Sequence, residues 1–230
     1  ALALDPRAVP LRDTLMDAYL SVDDLDSVRA INEPPTPRGQ LALLWSEGEI
    51  AQAADFIYSG RLGPPKQMLP EVGPSEVISQ IVLQQALADQ DFVRALALLS
   101  AALPLDDDML PNAIGFRFWA YANLKQLLDA SGDTDRASRL QEQMEALMNR
   151  LETRFPRHAI IHNQVRAILL AHAGLEEEAC ARLESAFSPA PRQFWWAVLS
   201  NPAFNDMRSA PCFRTLQARI EAHVAAEREA

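Results

Sequence analysis

The chain has 230 residues, of which 49% are apolar and only 8 are glycine, with a formal net charge of -10 and a sequence pI of about 4.9. That length bounds one large domain or two small ones. The acidic balance argues against a nucleic-acid surface on this chain, since such affinity comes largely from clustered Lys and Arg. No apolar run approaches the length of a membrane helix, and no leader is visible before the first charged residues. Long β-branched runs are also absent, which argues against a sheet protein.

From the N-terminus, Leu4-Asp5-Pro6 reads as a helix end, followed by a helix over 8–22 with Leu11, Leu15, Tyr19 and Leu20 on one face. A short partner over 25–32 is stopped by Asn32 and the prolines at 34, 35 and 37. The next pair is 38–47 and 49–59, with Leu41, Leu44 and Trp45 facing Ala53, Phe56 and Ile57. A connector from Gly60 to Ser75 holds four prolines and three glycines. Loops of this length are either functional or plain linkers, and nothing chemically pointed in it favours function.

A third pair covers 74–89 and 91–103. Val77, Ile78, Ile81 and Val82 line the first helix, and Leu96, Leu99 and Leu103 the second. Asp106 to Asp108 follow. Three adjacent carboxylates lack the spaced ligands and glycine turn that calcium wants, so they read as a solvated loop before the next helix. The fourth pair is 111–130 and 134–154, the second helix with Ala137, Leu140, Met144, Leu147 and Leu151 as a regular stripe. Phe116, Phe118, Trp119 and Tyr121 in the first helix are either a binding patch or core, and core is the commoner fate. The fifth pair is 157–172 and 175–187, with Ile160, Ile161, Ile168, Leu169 and Leu170 in its first helix. The tail from 189 to 230 reads as a helix over 191–200 with Phe194, Trp195, Trp196 and Leu199, two proline turns, and an amphipathic helix over 212–228 capping the open end.

Four of these pairs share a signature at one spacing. Gly48-Glu-Ile-Ala-Gln-Ala53 returns as Gln90-Asp-Phe-Val-Arg-Ala95, Gly132-Asp-Thr-Asp-Arg-Ala137 and Gly174-Leu-Glu-Glu-Glu-Ala179, each 42 residues after the last. A fixed period of this size marks a stacked repeat. The first position can take the positive φ that ends a helix, the acidic residues favour the next helix start, and the Ala permits close approach. The expected architecture is therefore all-α: an α-solenoid of five helical hairpins with a C-terminal capping helix, as one domain over 1–230.

This signature resembles the tetratricopeptide repeat, as do Leu15-x3-Tyr19 and the ending Leu4-Asp5-Pro6. The family unit is about 34 residues; this chain departs from it with its longer step, and the consensus tryptophan is missing from most copies. The run from Trp196 through Asn201-Pro202-Ala-Phe204 and Arg208 to Pro211-Cys-Phe213 and Leu216 resembles the tetratricopeptide C-terminal domains of ToxR/CadC-like bacterial transcription regulators. Similar domains stand beside class III adenylate cyclases. The resemblance implies a non-catalytic interaction or sensory domain, on the cytoplasmic or periplasmic side of an inner-membrane regulator. Any DNA-binding or membrane segment would lie outside this chain.

The same register places Arg38, Trp45, Gln80, Gln84, Trp119, Gln126, Asp129, Gln164 and His172 on the concave face. The glutamines there could donate to and accept from an extended peptide backbone, and the tryptophans could stack. The expected partner is accordingly a protein or peptide, with a small molecule at the aromatic cluster of Phe116, Phe118, Trp119 and Tyr121 or under Trp195 and Trp196 as the alternative, and self-association through an open solenoid end is a third route. No nucleophile–base pair, P-loop, dinucleotide fingerprint or zinc-protease motif appears, so no enzyme and no cofactor is expected. His158 and His162 are spaced as half a metal site and lack further ordered ligands. Cys180 and Cys212 are either a bridge or two buried thiols.

Overall fold

The computed structural model describes residues 9–65, 75–103, 117–154, 159–188 and 195–229. The opening Leu4-Asp5-Pro6, most of the 60–74 connector, Asp106 to Asp108, Phe116, His158 and Phe194 lie outside the described residues. Among those described, the chain is twelve α-helices with no strand. They are α1 (Val9–Ser21), α2 (Leu25–Ile31), α3 (Pro37–Ser46), α4 (Ile50–Tyr58), α5 (Ser75–Asp89) and α6 (Phe92–Ala102). Then come α7 (Arg117–Ala130), α8 (Thr134–Arg154), α9 (Ala159–His172), α10 (Glu176–Ala186), α11 (Trp195–Leu199) and α12 (Pro211–Glu229). A 3-10 turn, Pro202–Phe204, stands between the last two.

The turns carry the conformation their sequence asks for. Backbone φ is positive at Gly48, Gly132 and Gly174, and at Gln90, where a non-glycine residue takes the left-handed value of 57°. Asp23 does the same between α1 and α2, so the opening pair shares the turn while standing off the 42-residue register. Four of these turns close with the same backbone bond, from Asp24 N to Tyr19 O, Glu49 N to Leu44 O, Asp133 N to Leu128 O and Leu175 N to Leu170 O, at 2.8–2.9 Å. This is the helix-ending motif in which a left-handed residue brings the chain back over the last turn. Asp24, Asp91 and Asp133 then accept from the backbone N–H three residues on, starting the second helix. Ala53, Ala95, Ala137 and Ala179, five residues after each turn position, are all buried, and Val28 takes that place in the first pair.

Consecutive helices pack in pairs, α1 with α2 through α9 with α10, and the first helices of neighbouring pairs touch, α1 with α3, α5 with α7 and α7 with α9. Most of the core is one cluster running from Leu41 to Val224, with a smaller cluster of Met16, Leu20 and Val28 under the first pair. Trp196 packs against both. The expected stripes on α5 and α8 are buried as read, and Phe118, Trp119 and Tyr121 are core. Helix α7 differs from an ordinary amphipathic helix, because every residue from Phe118 to Leu128 is buried, Asn123, Lys125 and Gln126 included.

The tail explains that burial and revises the expected end cap. Helix α12 does pack on α10, through Phe213, Leu216, Ile220 and Val224, an ion pair from Arg219 to Glu184, and a disulfide from Cys180 to Cys212 with Cα atoms 6.1 Å apart. The preceding segment turns back instead. The 3-10 turn lies against α9 and α5, on the side that the open groove was expected to occupy. At the far end of α12, Arg228 donates to Val22 O, Asp23 O and the Asp23 carboxylate, joining the C-terminal helix to the first turn.

Candidate functional site

Two adjoining regions collect the polar and aromatic residues, a covered face of α5 and α7 and an open cleft beside it. The covered face is built on Asn201. This side chain is fully buried and sits just before Pro202, where its Oδ1 accepts from Ala203 N at 2.9 Å and caps the 3-10 turn. The same oxygen accepts from Gln126 Nε2 at 3.3 Å, while Nδ2 donates to Asn123 Oδ1 at 2.8 Å and to Gln80 Oε1 at 3.5 Å. Gln80 Nε2 donates to Ala197 O and Ser200 Oγ, both at 2.9 Å, and Gln84 Nε2 donates to Ser200 O at 2.9 Å. Asn123 Nδ2 donates to Ser79 Oγ at 2.9 Å, linking α7 to α5. Polar groups this deep must be paired, and these pair with one another and with the tail.

The nine residues assigned to the groove therefore divide. Gln80, Gln84 and Gln126 converge as expected, and they hold backbone and side chains of the chain's own segment 197–201. Gln164 is buried on α9. Asp129 joins α7 to α9, taking Lys125 Nζ and His172 Nε2 on Oδ2 at 2.7 Å each. Burial alone would raise the Asp129 carboxyl; the hydrogen bonds from Lys125 and His172 outweigh it and hold the pKa below the usual aspartate value. Arg38 is turned to Asp17 in a two-contact ion pair at 2.8 and 3.1 Å, tying α3 to α1. Trp119 is fully buried and offers no face to a ligand, because α7 is covered on all sides. His162, half of the considered metal pair, is buried edge-on to Phe118, and no described residues gather three or more metal-ligating side chains. The sequence does not single out Asn123, and it shows Asn201 only as part of a turn and a motif, not as the centre of a network. The signal was Asn201 before Pro202, which marks a turn but not its neighbours.

Trp45 belongs to the second region. A cleft of about 530 Å³ opens where the first turn, α3, α5 and the tail meet. Trp45 and Trp196 meet edge to face in its wall, ring centres 4.6 Å apart, and Trp195 stands beside them with its indole N–H donating to Ser21 O at 2.9 Å. Leu20, Leu25, Ile50 and Ala88 add aliphatic surface, and Asp23, Gln84, Gln85 and Arg208 supply the polar chemistry. The Oε1 of Gln84 is buried with no hydrogen-bond partner. Partial desolvation at the cleft mouth lowers the pKa of Arg208, whose side chain is otherwise exposed. A concave, mostly apolar site with a few polar groups is the usual form of a small-molecule pocket.

No family model matches the chain, and neither a curated protein nor a solved structure does. The functional reading therefore rests on these two regions. Among the described residues, no helix is long and apolar enough to cross a membrane.

Proposed function

We propose that this chain is a non-catalytic, tetratricopeptide-like sensor domain of a larger regulator, and that the tryptophan cleft is where it binds a small molecule. The observation that carries this reading is the meeting of Trp45, Trp195 and Trp196 around a 530 Å³ opening. Its walls come from both ends of the chain, the first turn at Leu20, Asp23 and Leu25 and the tail at Trp195 and Arg208. A ligand there would contact both ends at once, and so strengthen their closure. That is a direct route from occupancy to a change in the domain's surface.

The test is a thermal-shift screen of small metabolites on the whole chain, repeated on Ala88→Phe, which fills the cleft from the exposed end of α5. A ligand present at a hundred times its Kd stabilises by about 2.7 kcal/mol. At about 2–4 °C per kcal/mol for this size, Tm rises by roughly 5–11 °C. Shifts in the wild type that vanish in Ala88→Phe support the reading. Shifts that persist unchanged place the ligand elsewhere.

A second reading, peptide recognition on the concave face, draws on Gln80 and Gln84 donating to the carbonyls of Ala197 and Ser200. In this reading a partner's backbone replaces the tail, and its binding raises hydrogen exchange across 195–204. A partner that binds with those amides still protected uses another surface.

A further inference from the structure

We propose that the tryptophan cleft takes a flat organic anion, an aromatic or heteroaromatic carboxylate, whose ring lies among Trp45, Trp195 and Trp196 and whose carboxylate pairs with Arg208. The inference rests on the reading of the cleft as a ligand site and adds the ligand's chemical class. The indoles by themselves would accept a flat neutral ring, and equally a cation over a ring face. The sign of the ligand is set by the charged side chains at the opening, which are Asp23 and Arg208.

These two differ in what they already hold. The Asp23 carboxylate takes Arg228 at 2.7 Å, so its charge is matched within the chain. Arg208 donates through Nε to the neutral Asn205 Oδ1 at 3.2 Å, and among the described residues no carboxylate lies within ion-pair distance of it. That bond fixes the plane of the guanidinium, and its two terminal nitrogens meet no acceptor among the described residues. A planar guanidinium with both terminal groups open matches a carboxylate through two parallel hydrogen bonds. In a chain of net charge -10, a cation facing an aromatic cleft without its counter-ion marks the place where an anion is wanted. An organic cation would meet Arg208 as a like charge. The apolar wall of Leu20, Leu25 and Ile50 further favours a ligand with one charged edge and a hydrocarbon body over a compact inorganic anion.

The experiment compares three probes of one shape on the whole chain by calorimetry and ligand-observed NMR: 1-naphthylacetate, 1-naphthylacetamide and 1-naphthylmethylamine. The carboxylate is expected to bind at least about tenfold tighter than the amide, the scale of a hydrogen-bonded charge. Arg208→Gln should bring the carboxylate to within about twofold of the amide, leave amide binding unchanged, and leave the thermal melt intact because Arg208 is exposed. Amine binding as tight as the carboxylate, or a carboxylate preference that survives Arg208→Gln, overturns the anionic class while leaving the cleft as a ligand site. Equal binding of all three probes to Ala88→Phe and wild type refutes the cleft itself. Failure of every probe to bind at millimolar concentration refutes both.

Discussion

Replacing Asn201 by Ala should release the tail from α5 and α7. The change removes the acceptor that caps Ala203 N, worth about 1 kcal/mol in comparable caps. It also strips Asn123 Oδ1 and Gln126 Nε2 of their partners at 2.8 and 3.3 Å, in a place where Asn123 is fully buried and Gln126 is 4% exposed. Each buried polar atom left unpaired costs about 1–3 kcal/mol. These losses, with the long 3.5 Å contact to Gln80 Oε1, share one network and are not independent, so the expected total is about 3–4 kcal/mol. For a chain of this size that lowers Tm by roughly 6–16 °C. Urea denaturation gives the free energy, and native-state hydrogen exchange gives its location. The amides of 195–204 should lose protection well before those of α8 and α10, since local opening draws on the weakest docking. A loss under about 1 kcal/mol, or exchange that rises evenly through the chain, would refute the account of Asn201 as the anchor.

Removing the Cys180–Cys212 bridge as the Ala pair opens a 32-residue separation, so the chain-entropy relation predicts a loss of about 3.7 kcal/mol, read as a lower urea midpoint with a slope that rises as the unfolded chain expands. Gln90→Gly should raise stability by a few tenths to about 1 kcal/mol, because the left-handed φ of 57° strains a side chain by more than the added freedom of glycine in the unfolded chain takes back; a loss on thermal melting would contradict this. Asp129→Asn should flatten the acid limb of the stability curve. The folded pKa is lowered, so the stabilisation is present above the ordinary aspartate pKa and fades as pH falls through the depressed one, and melts from pH 5 to pH 2 on both proteins show whether the difference closes at the acid end.

The periodic parts of this molecule were legible because their causes are local. A left-handed turn, an acidic helix start and a small residue five positions later act within one turn of chain, so the 48, 90, 132 and 174 positions carry their instruction wherever they stand. The apolar stripes of α5 and α8 are read the same way, since a helix of period 3.6 exposes its inner face in the spacing of its residues. Helix α7 resisted, because a helix covered on every side shows no contrast between faces. Its Asn123 and Gln126 look like surface residues until something is known to lie on them.

The helical class, the pairs and most of their boundaries thus follow from local sequence. The tertiary structure decided where the tail goes. Asn201 and Gln80 are 121 residues apart, Trp45 and Trp196 farther still, and no local preference links them. Their pairing follows from the stack bringing α5, α7 and α9 side by side, which lines up buried amides that must find partners. The tail supplies those partners, closes the face that was expected to stand open, and leaves the tryptophan cleft beside it.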